Sequence, residues 1–429
     1  MSFTRFTLAV LFILAMGAQA PFAQDNSFEI PALDSKTPAL DIGGNMDVNY
    51  SLLLNRTDTA MFQLTNGGRS VSPVSASYPL DLYLNGDYQA GALGVHLKTQ
   101  VEYAASNTFN VTLYEAYGSL KLSDGVLLRL GKTIYNWGKG YAFNPVGFVN
   151  PVKDPQNVDY YLGQGLFSAN YEYSQSLQSS VLQNLSLDLL VIPPVTLSPS
   201  GTSDIQDTNV AAKLYLLLWD TDIDLMGYLG RTGARSMGMD FSRNIVPSLE
   251  LHGEIAYSFN QPKNIISAGS LTSTSFDGFS YLVGLRWLNG WNMTTILEYY
   301  HNDAGLTSTE FADYVSFLQA AAASGSSTSI SQALSISKSA FSGPDLMQDY
   351  AYLKLSWPEP FYLVDFTLSA FAIYSIDDTS AFLALSFSYD PITNFEFVVT
   401  PTLLLGGPQT LYGSKPYQFQ VMLLARYYF

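Results

Sequence analysis

The sequence predicts an all-β fold: a transmembrane, antiparallel, up-and-down β-barrel of about 18 strands. Three observations support this prediction. Apolar and polar residues alternate along most of the chain, which is the period of a strand with two different faces. Hydrophobic residues make up 47% of the sequence, yet after the N-terminal segment no run reaches the roughly 18 apolar residues of a membrane helix. Short turns also alternate with long connections, as in barrels with short periplasmic turns and long extracellular loops.

The first predicted strand shows the alternation clearly. Its apolar face carries Leu40, Ile42, Gly44, Met46, Val48, Tyr50, Leu52 and Leu54. Its other face carries Asp41, Asn45, Asp47 and Asn49. Because carboxylates and amides cannot face lipid, we expect this second face to line a wet lumen. A soluble β-sandwich would require a far more apolar interior face.

The same pattern defines eighteen segments. They lie at 40–54, 78–88, 92–105, 109–121, 125–134, 165–174, 184–193, 208–218, 222–231, 235–242, 248–258, 279–288, 292–301, 348–357, 361–374, 379–389, 393–405 and 416–429. Sixteen is the alternative count, because 235–242 is weakly patterned and Pro401 interrupts the seventeenth segment, where we expect a bulge. Every long connection, including 259–278 and 302–347, follows an odd-numbered segment. We therefore expect the long connections outside the cell and the tight turns in the periplasm.

The N-terminus has the features of a secretory signal peptide. Arg5 precedes an apolar run from Leu8 to Met16, and small residues follow around Ala18 and Ala20. We assign residues 1–20 to the signal peptide, with cleavage between residues 18 and 23. Residues 21–39 are then a periplasmic N-terminal segment and residues 40–429 an outer-membrane β-barrel. The predicted location is the outer membrane of a Gram-negative bacterium.

The composition narrows the class of protein further. The chain has 29 Tyr and 26 Phe against 5 Trp, as expected for aromatic girdles at two membrane interfaces. It contains no Cys, so it has neither disulfides nor thiolate metal ligands. Its net charge of −16 argues against nucleic acid as a partner, because phosphates need a basic surface. We predict no cofactor and no metal.

The C-terminal strand carries a more specific signal. Residues 417–429 alternate without a break, and Tyr427 and Phe429 lie in the apolar phase. This end resembles the C-terminal signal of bacterial outer-membrane β-barrels, whose last strand ends in Phe and is read by the insertion machinery. The resemblance implies that machinery as a partner, and Tyr427 and Phe429 as the assembly signal. Outer-membrane lipid and lipopolysaccharide are the expected surroundings.

The connection after the fifth predicted strand is the most distinctive segment. Its aromatic residues need a surface to pack on, and two Asn-Pro pairs and several glycines give it a defined path. We expect it to fold inward near 135–151 and to constrict the pore. The residues assigned to this constriction loop are Tyr135, Trp137, Lys139, Tyr141, Phe143, Asn144 and Asn150. The alternative is a loop that braces the barrel wall without contacting any solute.

The stretch from Glu115 through this loop resembles several porin-like outer-membrane families. In those families a Gly-basic pair is followed by Trp-Gly and then by Asn-Pro repeats; here these are Gly131-Lys132, Trp137-Gly138, Asn144-Pro145 and Asn150-Pro151. Thr133 stands where those families usually have Gln. The resemblance covers roughly 40 residues in addition to the general barrel pattern. It implies a family grouping but not a substrate.

Charged residues in lumen phase are the other candidate functional residues. They are Arg129, Lys132, Glu115, Glu250, His252, Glu254, Arg286 and Glu298. Opposed charges in a narrow channel would tune ion preference, and the alternative is that they pair to hold the wall in register. Glu250, His252 and Glu254 share one strand face, but their spacing of roughly 7 Å is too wide for a metal site without further ligands. A hydrogen-bonded lumen network is the favoured interpretation.

The connection at 302–347 is expected to contain a short amphipathic helix over 309–320. Phe311, Tyr314, Val315 and Leu318 follow helical spacing, with Ser308 or Thr309 as the N-cap. We expect the helix to pack on the rim or cap the mouth of the pore. The Ser/Gly-rich stretch after it, residues 324–329, has the composition of a flexible linker.

The leading functional hypothesis is a porin: a passive or substrate-selective diffusion channel for small hydrophilic solutes or ions. A barrel of 16 to 18 strands leaves an aqueous lumen. One alternative is a structural or assembly barrel. A barrel-embedded hydrolase is disfavoured, because the chain has only three His and no Gly-x-Ser-x-Gly motif; we do not expect an enzyme. The solute is not specified by the sequence, and a homo-oligomer is one of the oligomeric states left open.

Overall fold

The structure is a computed structural model and describes residues 39–429, except 68, 70, 105–107, 158–162, 195–207 and 231–234. The predicted signal peptide and nearly all of the predicted periplasmic segment lie outside the described residues.

Most of the described chain is β-strand. In chain order the strands are β1 (Ala39–Asn55), β2 (Val74–Ser77), β3 (Leu80–Ala90), β4 (Leu93–Ala104), β5 (Thr108–Ser123), β6 (Val126–Thr133), β7 (Leu166–Ser176), β8 (Leu182–Ile192), β9 (Asn209–Leu218), β10 (Thr221–Leu229), β11 (Arg235–Val246), β12 (Leu249–Ser267), β13 (Ser270–Leu288), β14 (Thr294–Asn302), β15 (Asp349–Pro358), β16 (Phe366–Ser375), β17 (Ser380–Ile392), β18 (Phe395–Leu405) and β19 (Tyr417–Tyr428).

The strands form one closed antiparallel barrel. From β3 to β19 each strand pairs with its neighbours in sequence, and β19 pairs with β1 to close the sheet. The short β2 pairs with residues 51–54 of β1, while β3 pairs with residues 39–48, so the two together form one position in the wall. The barrel therefore has eighteen wall positions within the described residues, which confirms the predicted fold and the higher of the two counts.

The two rims differ as the sequence predicts. The rim that carries Ala39 and Phe429, which we call the turn rim, has connections such as Gly91–Ala92 and Trp219–Asp220. The opposite rim, the loop rim, carries the long connections, including 134–165 and 303–348. Short turns on the side of both termini and long loops on the other side are typical of outer-membrane barrels.

The wall has an apolar outer face and a polar inner face. On β4, Leu93, Val95 and Leu97 point outward and are 58%, 56% and 45% exposed. Between them lies His96, whose ring contacts Asp87 and Glu115 on the two neighbouring strands. Such exposed apolar rows would be unstable in water and suit a lipid belt. Among the described residues, the helices are too short or too polar to span a bilayer.

Three details of the wall differ from the sequence prediction. Residues 259–278 are not a loop, since β12 and β13 continue through them as a hairpin with its tip at Ala268–Gly269. Pro401 lies inside β18 with no register shift against β19, so the expected bulge is absent from that pairing. The strand predicted from 361 begins at Phe366, because residues 359–365 form a wide turn.

Three helices lie at the loop rim: α1 (Ala60–Thr65), α2 (Ser308–Ala323) and α3 (Ser327–Ala340). The N-cap of α2 is Thr307, one residue before the predicted candidates, and it forms a capping box with Glu310. The predicted linker 324–329 is shorter than expected, because α3 already starts at Ser327. Buried residues of the helices, including Leu64, Phe311 and Tyr314, join one apolar cluster with side chains of the inner wall. The helices are therefore packed across the barrel mouth.

Candidate functional site

The segment between β6 and β7 is described at residues 134–157 and 163–165, and these residues lie against the inner face of the barrel. Its backbone contacts Glu254, which projects from the lumen face of β12 and is 3% exposed. One carboxylate oxygen of Glu254 accepts hydrogen bonds from the backbone N–H groups of Lys139 and Gly140, both at 2.6 Å. The other oxygen accepts a longer bond of 3.3 Å from the N–H of Val146. One buried carboxylate thus fixes two parts of the segment.

Glu298 provides a second anchor from β14. Its side chain is 1% exposed, and its two oxygens accept the backbone N–H groups of Tyr141 and of Ala142, the latter at 2.9 Å. The Nε2 atom of His252 lies 3.1 Å from the same carboxylate. Four consecutive N–H groups, from Lys139 to Ala142, therefore point at two carboxylates. Charge-assisted bonds of this kind are about twice as strong as neutral ones.

The aromatic side chains of the segment are buried against the wall. Trp137 is 2% exposed, and its ring faces Lys213 on β9. Tyr135 forms a hydrogen bond of 2.7 Å with Ser168 on β7. Phe143 stacks on Tyr300 with ring centroids 4.6 Å apart, and so joins the apolar cluster at the mouth. The segment therefore packs on the wall over an arc from β7 to β14.

The two Asn-Pro pairs hold the segment through Trp137. Both Asn144 and Asn150 donate from their side-chain amides to the carbonyl of Trp137, and Asn150 also accepts the N–H of Trp137 at 2.9 Å. Gly138 has φ +97°, and a Cβ there would lie 2.4 Å from the side chain of Asn144. The motif thus forms a compact hydrogen-bonded loop whose geometry requires glycine and asparagine at these positions.

Lys139 is directed at the wall rather than at the open lumen. Its ammonium lies 2.9 Å from Asp224 and 3.9 Å from Asp240, which are direct cross-strand partners on β10 and β11. Burial alone would lower the pKa of Lys139, but the two carboxylates outweigh that effect and raise it. Lys139 is therefore a charged anchor, complementary to the backbone anchors at Glu254 and Glu298.

Lys153, farther along the segment, donates from its ammonium to the carbonyl of Gly140. Burial lowers the pKa of Lys153, and the charges of Glu254 and Glu298 oppose this shift. The ammonium thus adds a cation beside the two anchoring carboxylates. It ties the returning part of the segment to Gly140, next to the anchor at Glu254.

The other predicted lumen charges form local pairs. Arg129 pairs with Glu172 across β6 and β7. The ammonium of Lys132 donates to the carbonyl of Leu113 at 2.6 Å. Glu115 accepts the N–H of Ile134 at 2.9 Å and so holds the start of the inward segment.

Glu250, Arg286, His252 and Tyr141 form one further group. Glu250 lies 3.6 Å from His252 and 3.8 Å from Arg286, and Tyr141 places its ring edge-on against His252. Glu254 turns away from this group toward the segment. Among the described residues, no group of three or more His, Asp or Glu side chains is placed to hold a metal ion. The group is held by ion-pair and ring contacts, and the hydrogen bond between His252 and Glu298 joins it to the second anchor.

The two residues of the predicted assembly signal lie at the seam of the barrel. The ring of Tyr427 packs against Phe395 at 4.7 Å and lies 6.5 Å from the ring of Phe429. Phe429 exchanges two backbone hydrogen bonds of 3.0 Å with Gly44 on β1. The last residue therefore contributes to the closure of the sheet.

Sequence reasoning missed several contact residues of the segment. Asp224 and Asp240 lie in lumen phase on strands that were identified, but nothing in the sequence shows which lumen acids face Lys139. Ser168, Tyr300 and Lys153 were missed for the same reason. The alternation of apolar and polar residues could have identified the two aspartates as lumen-facing candidates. Their pairing with Lys139 depends on the path of the loop.

A closed barrel with an apolar belt and a polar interior defines an outer-membrane β-barrel protein. Solved structures show the same fold. Pseudomonas aeruginosa OccK8 (OprE) matches with a TM-score of 0.55 at 10% identity, covering 91% of this chain and 98% of that one. Pseudomonas aeruginosa OccK2 (OpdF), solved in complex with glucuronate, matches with a TM-score of 0.55 at 9% identity, covering 91% and 97%.

Pseudomonas aeruginosa OpdQ also matches, with a TM-score of 0.54 at 10% identity, covering 91% of this chain and 97% of that one. No protein-family profile and no curated protein matches the sequence. At these identities the likeness shows the fold, a closed antiparallel β-barrel with eighteen wall positions among the described residues.

Proposed function

We propose that the protein is a diffusion channel of the outer membrane for small hydrophilic solutes, and that residues 134–157 of the inward segment constrict its pore. The observation that carries the proposal is the pair of buried carboxylates, Glu254 and Glu298, which fix the segment against the inner wall. A purely structural barrel has no need for a long loop held inside its lumen by charged side chains. The fold shared with OccK8 and OccK2 also supports the proposed channel function.

The charge of the inner wall narrows the class of solute. The sequence has 36 Asp and Glu residues against 20 Lys and Arg, and Asp81 on the lumen face of β3 is bonded only to the amides of Asn49 and Gln100 among its described partners. We infer that carboxylates outnumber cations along the lumen. Acidic rings favour cations over anions, so we propose cations or neutral hydrophilic solutes rather than carboxylates such as the glucuronate found with OccK2.

The purified barrel in planar bilayers tests both parts of the proposal. Deletion of residues 137–148 should raise the single-channel conductance severalfold and admit larger solutes. In a salt gradient the intact protein should show a reversal potential in the cation-selective direction. Heat-modifiable mobility on gels reports whether each variant is a folded barrel. Unchanged conductance in a folded deletion variant would show that the segment does not constrict the pore, and an anion-directed potential would refute the solute class.

A further inference from the structure

One turn at the turn rim differs from the others. Residues 359–365, between β15 and β16, form a wide turn that exposes four consecutive apolar side chains. These are Phe361, Tyr362, Leu363 and Val364, exposed by 75%, 96%, 53% and 65%. Two other turns of this rim expose a single tryptophan each, Trp219 at 61% and Trp291 at 76%, and turns such as Asp124–Gly125 and Thr393–Asn394 are short and polar. A run of exposed apolar residues of this kind marks an interaction surface.

The backbone of this turn is strained. Glu359, Phe361, Tyr362 and Asp365 all have positive φ, between +49° and +63°, although none of them is glycine. Residues with Cβ atoms rarely adopt this region, and such strain persists only where the surroundings hold it in place. The strained conformation presents the apolar side chains, where a glycine-rich turn would relieve the strain but remove them.

The turn is continuous with the lipid-facing side of the wall. The ring of Phe361 packs on Trp357, with centroids 5.0 Å apart. Trp357 lies two positions along β15 from Leu355 and four from Leu353, which is exposed on the outer face. At the next strands Phe366 contacts Phe387 on the same outer face. The apolar belt of the barrel therefore extends onto this turn without an interruption.

We propose that the turn 359–365 is a membrane anchor that inserts into the headgroup region of the adjacent phospholipid leaflet. Aromatic side chains prefer this interfacial region, because their rings suit its mixed polarity. Exposed carboxylates flank the turn, at Glu359 and Asp365. They would repel an anionic lipid and attract an ammonium headgroup, so the partner is a zwitterionic phospholipid with an ethanolamine headgroup.

The absence of cysteine from the chain allows a site-specific test. A Tyr362→Cys variant carries an environment-sensitive NBD label, and Ser180→Cys, in the exposed turn between β7 and β8 on the same rim, is the control. Both full-length barrels are reconstituted into vesicles of phosphatidylethanolamine and phosphatidylcholine. The label at 362 should be blue-shifted, protected from aqueous iodide and quenched by lipids with a shallow nitroxide, whereas the label at 180 should be quenched by iodide.

Equal iodide quenching at both positions would overturn the proposal, because the turn would then lie in water. Protection from iodide without quenching by nitroxide lipids would also overturn it, since a second protein copy rather than lipid would cover the turn. Replacing the ethanolamine lipid with phosphatidylglycerol should increase iodide quenching at position 362. No change in that arm would refute the preference for an ammonium headgroup.

Discussion

Removal of the carboxylate of Glu254 should release the inward segment while leaving the barrel closed. In Glu254→Ala the N–H groups of Lys139 and Gly140 lose their 2.6 Å acceptor, and the weaker bond to Val146 disappears. A hydrogen bond to a charged group contributes about 1.5–3 kcal/mol. Two such bonds give about 3–6 kcal/mol, which corresponds to a shift of roughly 150-fold to 20,000-fold in the equilibrium between fixed and released segment.

Hydrogen exchange and bilayer recording together measure this release. The amides of residues 139–146 should exchange much faster in Glu254→Ala, and the single-channel current should become larger or noisier. Glu102→Gln is the matched control, because Glu102 lies on the lumen face of β4 and its one described hydrogen bond joins it to Asn110, outside the segment. If both variants change the conductance equally, or if exchange in the segment stays slow in Glu254→Ala, the anchoring role is refuted.

Three other predictions follow from the same structure. Lys139→Met should destabilise the barrel by about 3–5 kcal/mol because it removes the cation paired with the buried acids Asp224 and Asp240. Adding Asp240→Asn should restore much of that loss. Urea unfolding measures both variants, and a fully stable single variant would contradict the anchor. Burial raises the pKa of Asp345 to about 6 from an ordinary value of 3.8, so the packing near Tyr300 gains stability below pH 4 and loses it as pH rises through 6. Amide hydrogen exchange at α2 and α3 should therefore be slower at pH 4 than at pH 7, measured relative to the variant Asp345→Asn. Equal pH dependence of exchange in both proteins would disprove this role of Asp345. Phe429→Ala keeps the backbone bonds to Gly44, whereas deletion of Phe429 removes them. An equal loss of assembled barrel from cells in both variants would support a recognition signal in the aromatic ring. A loss in the deletion variant alone would indicate that only closure of the seam matters.

The wall of the barrel could be predicted from sequence because each strand repeats one local rule. Lipid on one side and water on the other impose the period-two pattern, and each of the eighteen predicted segments overlaps one strand of the wall. The rule fails where the chain leaves the membrane. Residues 259–267 continue β12 although both faces carry polar residues, and they are held instead by the pair of Lys263 with Glu310 and by packing of Ile266 in the mouth cluster.

The candidate site could be predicted only in part. The aromatic residues and Asn-Pro pairs of the inward segment indicated that it would pack inside the barrel, and the segment does lie against the inner wall. Its partners could not be predicted, because a loop of this length has no fixed register against the wall. Glu254 and Glu298 were identified as lumen charges, but their role as acceptors for backbone N–H groups depends on three-dimensional proximity alone.

Anchoring through the backbone has a consequence for the evolution of such a channel. Glu254 and Glu298 hold the main chain of residues 139–142, so these bonds are made by backbone atoms and add to the side-chain contacts of Lys139 and Lys153. Asn136 and Val152 are exposed and take no part in the described anchoring contacts of the two carboxylates. Substitutions at such positions could change what the pore admits while the loop keeps its place, so new specificities are accessible by single mutations without redesign of the scaffold.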